Sequence, residues 1–445
     1  MISRRRLMRL GAGAAVGGAI GLALPSLTAL AQGGGYRALV CLFLHGGNDG
    51  NNTIVPMASD AYDAYQRGRG LLALRQSSLL SITTPSGIAY GLHPQLTDLQ
   101  RLFNERRLAV IANVGTLVRP TTRDEYQTRS APLPRNLYSH SDQQRAWQTG
   151  LPNGSASTGW GGRTADVLSG GGAATFPALL SVAGQAAFGT GVVSTPATVT
   201  PGTAPGLAGV YGDAASLARV QAVESLLTLR DGSVLMSAAN VTMREGLRQA
   251  DTLNRALSSR SAPTTRFPST GLGQQLAEIA RVMNVRDELG LTRQVFFCSL
   301  GGFDTHFNQL INHASLMAEL GKALAAFDDA TREMGLAESV TTFTLSEFGR
   351  TLQPTTLLGT DHAWGSHQLV MGGGVHGGDV YGDFPVVALA GPDDVGSRGV
   401  WLPTSSLEQY GATLATWLGV SRSSLPDVFP NLGNFHTDNL GFLSA

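Results

Sequence analysis

Two residues apart in an extended backbone, a carboxylate and an imidazole face the same side and can share one cation. Asp304 and His306 have this spacing, directly after the apolar run Gln294–Leu300 and inside the loop GGFDTHFNQ. His45 and Asp49 follow a second apolar run, Arg37–Leu44. Glu347 follows a third, Ser339–Leu345, in SEFGRT. Asp361 and His362, with His367 nearby, precede a fourth. Singly, each of these histidines reads as a hydrogen-bonded loop residue. Together, Asp, His and Glu side chains at the ends of separate strands describe a metal centre on one sheet edge. Mixed nitrogen and oxygen ligands suit a divalent cation, zinc first and manganese, magnesium or calcium next, rather than copper or an iron–sulfur cluster.

Other chemistries lack their residues. No Gly-x-Ser-x-Gly, P-loop, Cys-x-x-Cys or His-Glu-x-x-His occurs. Gly372-x-Gly374-x-x-Gly377 has dinucleotide spacing, but no helix pattern follows to receive a phosphate. Cys41 and Cys298 both lie in apolar runs and read as two buried free thiols.

The elements that must position these groups alternate. Arg37–Leu44, Leu108–Val114, Gln294–Leu300 and Ser339–Leu345 are near-continuous apolar runs, as strands buried on both faces are. Gln368–Met371 and Val386–Ala390 are expected as further strands. Apolar residues at helical spacing mark helices over Pro94–Arg106, about 271–290 and Leu310–Gly335. Ser405-x-x-Glu408 reads as a capping box that opens a helix to about Leu418. Such alternation predicts a three-layer α/β/α sandwich around a mostly parallel sheet. Ligands of such folds bind at the carboxyl ends of the strands.

Composition agrees with a globular, exported chain. Of 445 residues, 42% are hydrophobic, enough for a sizeable core. Net charge is zero, with 32 basic and 32 acidic residues, and no basic block lies beyond the first ten, which argues against nucleic-acid binding. Residues 1–31 read as a twin-arginine signal peptide: Arg4-Arg5, an apolar stretch from Leu10 to Leu24, then Ala29-Leu30-Ala31. The stretch is too short and glycine-broken to span a bilayer, and no other segment could do so. The mature chain, 32–445, is expected in the periplasm or outside the cell with a net charge near −4. From Val167 to Gly212 there is no charged residue, so this stretch is expected as a surface insertion or lid containing short strands.

LHGGNDGNNTIVP (44–56), GWGGR (159–163), GGFDTHFNQ (301–309), TLSEFGRT (344–351), DHAWGSH (361–367) and FPNLGNF (429–435) resemble an exported bacterial family known as domain of unknown function 1501. That family is similar to the alkaline phosphatase and sulfatase superfamily of metal-dependent hydrolases. The resemblance implies metal ligands at Asp49, Asp304, His306 and His362. The superfamily's late Asp-His pair falls on Glu347-Phe348, which keeps the carboxylate and loses the histidine. Its nucleophile stands ten residues before a glycine in a segment similar to Ala146-Trp147-Gln148-Thr149-Gly150; that position here is His140, flanked by Ser139 and Ser141. The resemblance leaves three options: His140 attacks, Ser141 or Ser139 attacks, or water does so directly. It implies an alkaline-phosphatase-like hydrolase of phosphate or sulfate esters, small or of a polysaccharide type, with Arg145 or Arg350 gripping the anion. The alternative is a non-catalytic protein that keeps the fold and a structural metal.

Overall fold

The runs of apolar residues form strands where buried on both faces. The structure is a computed structural model that describes residues 35–444, except 154–155, 170–175, 208, 211 and 230–232. The expected signal peptide, residues 1–31, lies outside the described residues. Twelve strands are present among them: β1 (Arg37–Leu44), β2 (Ile54–Pro56), β3 (Leu80–Thr83), β4 (Ala89–Leu92), β5 (Leu108–Gly115), β6 (Leu179–Ser181), β7 (Ala197–Thr198), β8 (Arg293–Leu300), β9 (Val340–Leu345), β10 (Ser366–Met371), β11 (Val380–Tyr381) and β12 (Ser405–Ser406).

Nine strands make the central sheet in the order β11-β5-β10-β9-β1-β8-β6-β7, with β12 also on β5. Strand β1 pairs in parallel with both β8 and β9. Only β10 runs against its neighbours β5 and β9. Strands β2, β4 and β3 form a small separate sheet.

Alternation along each strand divides the core between the two faces. Val40 and Leu42 of β1 meet Leu276 and Ile279 of the helix Gly271–Asn284 and Leu320 of the helix Gln309–Glu333 in one cluster. Leu39, Cys41 and Phe43 meet Trp160 of the helix Trp160–Ser169 and Tyr410 and Leu414 of the helix Leu407–Leu418 in the other. The three-layer sandwich is therefore present. Cys41 belongs to one face and Cys298 to the opposite one, so the two buried thiols cannot bridge although their strands are neighbours. No helix among the described residues is long and apolar enough to cross a membrane.

Several boundaries differ from the sequence expectation. Val386–Ala390 is not a strand: the Val386 N–H donates to the Asp393 carboxylate, and Ala388 N–H to the carbonyl of Val386, so its backbone is satisfied locally. The capping box uses Ser406 and Gln409, one residue beyond Ser405 and Glu408. The charge-free stretch 167–212 supplies the short strands β6 and β7, but it is not merely a surface insertion. Leu179, Leu180 and Phe188 are buried in the core, and β6 lies against β8. Between 213 and 270 the chain forms two helices, Ala214–Leu226 and Val234–Ser259, where no element was expected.

Candidate metal centre

The loop after β1 sets the floor of the site. Gly46 and Gly47 have φ of +118° and +82°, which side chains rarely adopt. A Cβ on Gly46 would lie 2.3 Å from the backbone nitrogen of Asp304, and one on Gly47 would strike the ring of Phe348. The two glycines thus let the loops after β1, β8 and β9 pack together, and these loops bring their polar ends into one place.

Four side chains converge there. The Asp304 carboxylate has Oδ1 2.9 Å from His306 Nε2 and 3.3 Å from His362 Nε2. Its Oδ2 is 3.5 Å from His140 Nε2. The Nε2 atoms of His306 and His362 lie 3.1 Å apart. Ligand atoms of His140, Asp304 and His362 all fall within 4.8 Å of one another. The rings of His140 and His362 meet edge to face, 4.5 Å between centroids.

The partners of the other ring nitrogens fix the tautomers. His140 Nδ1 is 2.9 Å from Glu347 Oε1, and His362 Nδ1 is 2.7 Å from the carbonyl of Tyr138. A carboxylate and a carbonyl only accept, so both Nδ1 atoms carry the proton and both Nε2 atoms present lone pairs to the centre. His140 Nε2 is buried and makes no hydrogen bond. His306 Nδ1 is 3.5 Å from Asp361 Oδ1. Histidines that bind metals are held in this way, with the outer nitrogen on a carboxylate or carbonyl. Inward lone pairs of His140 and His362 beside the Asp304 carboxylate fit a divalent cation.

The expected ligands divide, and His140, expected as a nucleophile, joins some of them. Asp304, His306, His362 and His140 come together. Asp49, Glu347 and Asp361 stand outside this set. Asp49 caps the helical turn Gly50–Thr53, accepting from the Asn51 N–H, and is paired with the fully buried Arg69 and with Gln309. Burial raises the pKa of Asp49, with Arg69 and Arg350 opposing. Glu347 is buried, and its Oε1 accepts from the Gly46 N–H (2.8 Å), Gln144 Nε2 (3.0 Å) and His140. It orients His140. Asp361 is held by Arg398 at 2.6 Å and backs His306.

Charge at the centre is set by Arg350. Burial raises the Asp304 pKa, but the hydrogen bond and charge of Arg350, with His306 and His140, outweigh it and leave the carboxyl below its usual range. Burial lowers the His362 pKa, against the Tyr138 hydrogen bond. Arg350 does not reach outward to an anion. Its remaining N–H groups donate to the carbonyls of Gly46, Gly47 (3.0 Å) and Thr360 (3.0 Å). Arg145 is exposed and donates to the carbonyl of Ala156. Ser139 occupies the N-cap position of the helix His140–Thr149 without a side-chain cap; its hydroxyl donates to Asp142 and lies 3.2 Å from that of Ser141. Neither hydroxyl bonds to a member of the centre.

Of the remaining histidines, His45 is partly buried with its ring 4.4 Å from Phe43, His367 is stacked on Phe384, and His376 is tied to Gly441 and Ser444. Tyr138, Arg69, Gln144 and Arg398 had no sequence signal, since each acts through a partner distant in the chain. Gln309 lies inside GGFDTHFNQ, and only its motif hinted at it.

The sequence pattern of a family described as a protein of unknown function (DUF1501) matches residues 36–397. No curated protein matches the chain. Among solved structures, the chain is similar to the PsFucS1 sulfatase from Pseudoalteromonas sp., at 10% identity and a TM-score of 0.34 over 93% of this chain and 73% of that one. It is similar to the phosphonate monoester hydrolase of Agrobacterium radiobacter, at 9% identity and a TM-score of 0.32 over 87% and 74%. A zinc complex of the C-terminal periplasmic domain of EptC from Escherichia coli gives 11% identity and a TM-score of 0.28 over 76% and 74%.

Proposed function

The chain belongs to the DUF1501 family of proteins of unknown function, and within it we propose that this protein is an exported, metal-dependent hydrolase of phosphate or sulfate monoesters. The observation that carries this reading is the convergence of three Nε2 atoms on the Asp304 carboxylate, with the outer nitrogens of His140 and His362 held by acceptors. His140, Asp304, His306 and His362 would hold a divalent cation, with zinc the best fit to the donor set. When bound, the cation supplies a Lewis acid for an ester oxygen and its charge.

The chain's own residues do the rest. Glu347 and the Tyr138 carbonyl keep two imidazoles in the ligating tautomer. Arg350 keeps Asp304 anionic and fixed. Asp304 and His306 are the open side of the centre, at 46% and 39% side-chain exposure, so the ester enters there. The hydroxyls of Ser139 and Ser141 are engaged with each other and with Asp142. His140 has its Nε2 turned to Asp304. This arrangement favours attack by water over a covalent intermediate on residues 139–141.

The absence of a bonded hydroxyl at the centre equally favours a second reading, a metal-holding protein without turnover. One experiment separates them. The purified chain is analysed for bound metal and assayed with p-nitrophenyl phosphate and sulfate in the presence of Zn, Mn, Mg or Ca. Hydrolysis that falls with Asp304→Ala and His306→Ala, and survives Ser139→Ala and Ser141→Ala, supports the water-driven hydrolase. An acid-labile phosphoryl adduct would instead make His140 the nucleophile. Bound metal without turnover of any ester leaves the non-catalytic reading.

A further inference from the structure

Exposed apolar side chains that belong to none of the buried clusters lie on two segments that lead into the centre. Phe307 directly follows His306 and is 58% exposed. Ile311 is 74% exposed, in the first turn of the helix Gln309–Glu333, whose core face is already made by Gln309, His313 and Met317. Leu310 beside it is 37% exposed. Leu357 and Leu358, shortly before Asp361 and His362, are 66% and 43% exposed.

These residues sit on two segments locked to each other. Gln309 N–H donates to the Leu358 carbonyl (3.0 Å), and Thr360 N–H to that of Thr305 (3.0 Å). Gly359 lies so close that a Cβ there would overlap the backbone of His306. Singly exposed apolar residues are ordinary, but five on two bonded segments beside a polar centre are a surface with a use. Neither 305–318 nor 351–360 contains Lys, Arg, Asp or Glu. Arg350, Arg398 and Arg145 are engaged with Asp304, Asp361 and Ala156. A polyanion such as a sulfated polysaccharide would find no free cation in these segments, and an apolar group would find no charge to desolvate.

We propose that this border is the subsite for an apolar substituent of the ester, so that the substrate class is an amphiphilic monoester with a long alkyl chain on the anionic head. The inference rests on the hydrolase reading for the head's position, and on continuity between the border and the centre for its tail. The head lies at Asp304 and His306, and the tail runs over Phe307, Ile311 and Leu357.

The test uses the full-length mature protein loaded with Zn and a series of n-alkylphosphonates from methyl to octyl, below their aggregation range, titrated by calorimetry. Affinity should rise about two- to fourfold per methylene over the first several carbons, the upper figure being full transfer from water. In the double variant Ile311→Ser/Leu357→Ser the rise should flatten while methylphosphonate binds as in wild type. A flat series in wild type, an unchanged slope in the variant, or no binding by any member overturns the subsite. Binding to plain phosphatidylcholine vesicles, or a dimer lost in the variant, without a chain-length slope would assign the patch to a membrane or a second copy and overturn it equally. Turnover of the matching alkyl phosphates is scored separately. A slope without turnover removes the hydrolase reading and keeps the subsite; turnover without a slope does the reverse.

Discussion

Acid should unfold this protein through its buried histidines, and His313 allows the effect to be isolated. His313 lies within the helix Gln309–Glu333, fully buried, with Nε2 3.1 Å from Asn48 Oδ1 and Nδ1 without a partner. Burial first, and the nearby Arg69 charge second, push its pKa from 6.5 down to about 3. The folded state therefore holds the neutral ring, while the unfolded chain takes up a proton below pH 6.5. The stability is present above 6.5 and is lost as pH falls through the window from 6.5 to about 3. At pH 4.5, two units into that window, the loss is about 2.7 kcal/mol at ~1.36 kcal/mol per unit. His313→Gln keeps an N–H for Asn48 and removes the titration. The assay is urea denaturation of both proteins at pH 7.0 and 4.5, with EDTA present so that metal loss does not contribute. The variant should be the less stable at pH 7.0, and the gap should shrink by about 2.7 kcal/mol at pH 4.5. Parallel losses within about 0.5 kcal/mol would refute the reasoning. His93, with its ring 5.3 Å from His313, is also held near 3, by burial first and then by His313, against Asp49, and it is present in both proteins.

Asp49→Ala should leave bound metal unchanged and cost about 3–5 kcal/mol, because it strands Arg69 in the interior; metal lost in step with stability would place Asp49 at the centre after all. Glu347→Gln should weaken metal binding about 10–100-fold in a chelator competition, since it disturbs the acceptor that fixes His140. An unchanged affinity would remove Glu347 from the orienting role. Chelation of the wild type should lower its melting temperature, as ligand removal does by linkage. Arg4→Lys with Arg5→Lys should strand the precursor in the cytoplasm on fractionation; normal secretion would show that another route exports it.

The sheet was legible because parallel strands are buried on both faces and read as unbroken apolar runs. RALVCLFL and LAVIANV could hardly be anything else. The same rule misread Val386–Ala390, where an apolar run follows Pro385 and closes onto the Asp393 carboxylate instead of a neighbour. The helix Val234–Ser259 gave no clear signal for a physical reason. It buries only Leu253 and Ala256 among the described residues, so little apolar periodicity was there to read.

The site was legible to the extent that its chemistry is local. Asp304 and His306 are two apart, and geometry alone brings them together. His140 entered only through resemblance, since nothing in Ser139-His140-Ser141 announces a partner some two hundred residues away. The carboxylates show where sequence reasoning stops. Asp49, Asp304 and Glu347 all end strands on the same sheet edge, and by residue type all three are ligands. What separates them is the cation or donor that reaches each first. Arg69 closes on Asp49 within the interior. Three N–H groups take one oxygen of Glu347, and its other oxygen is buried without a partner, but Glu347 falls outside the cluster of ligand atoms formed by His140, Asp304 and His362. Arg350 Nη2 donates to Oδ1 of Asp304 and to the Gly46 carbonyl, and leaves Oδ2 facing a bare imidazole nitrogen. A carboxylate is available to a metal only where the chain has not already neutralised it, and that depends on arginines and amides whose approach is settled by the fold rather than by spacing.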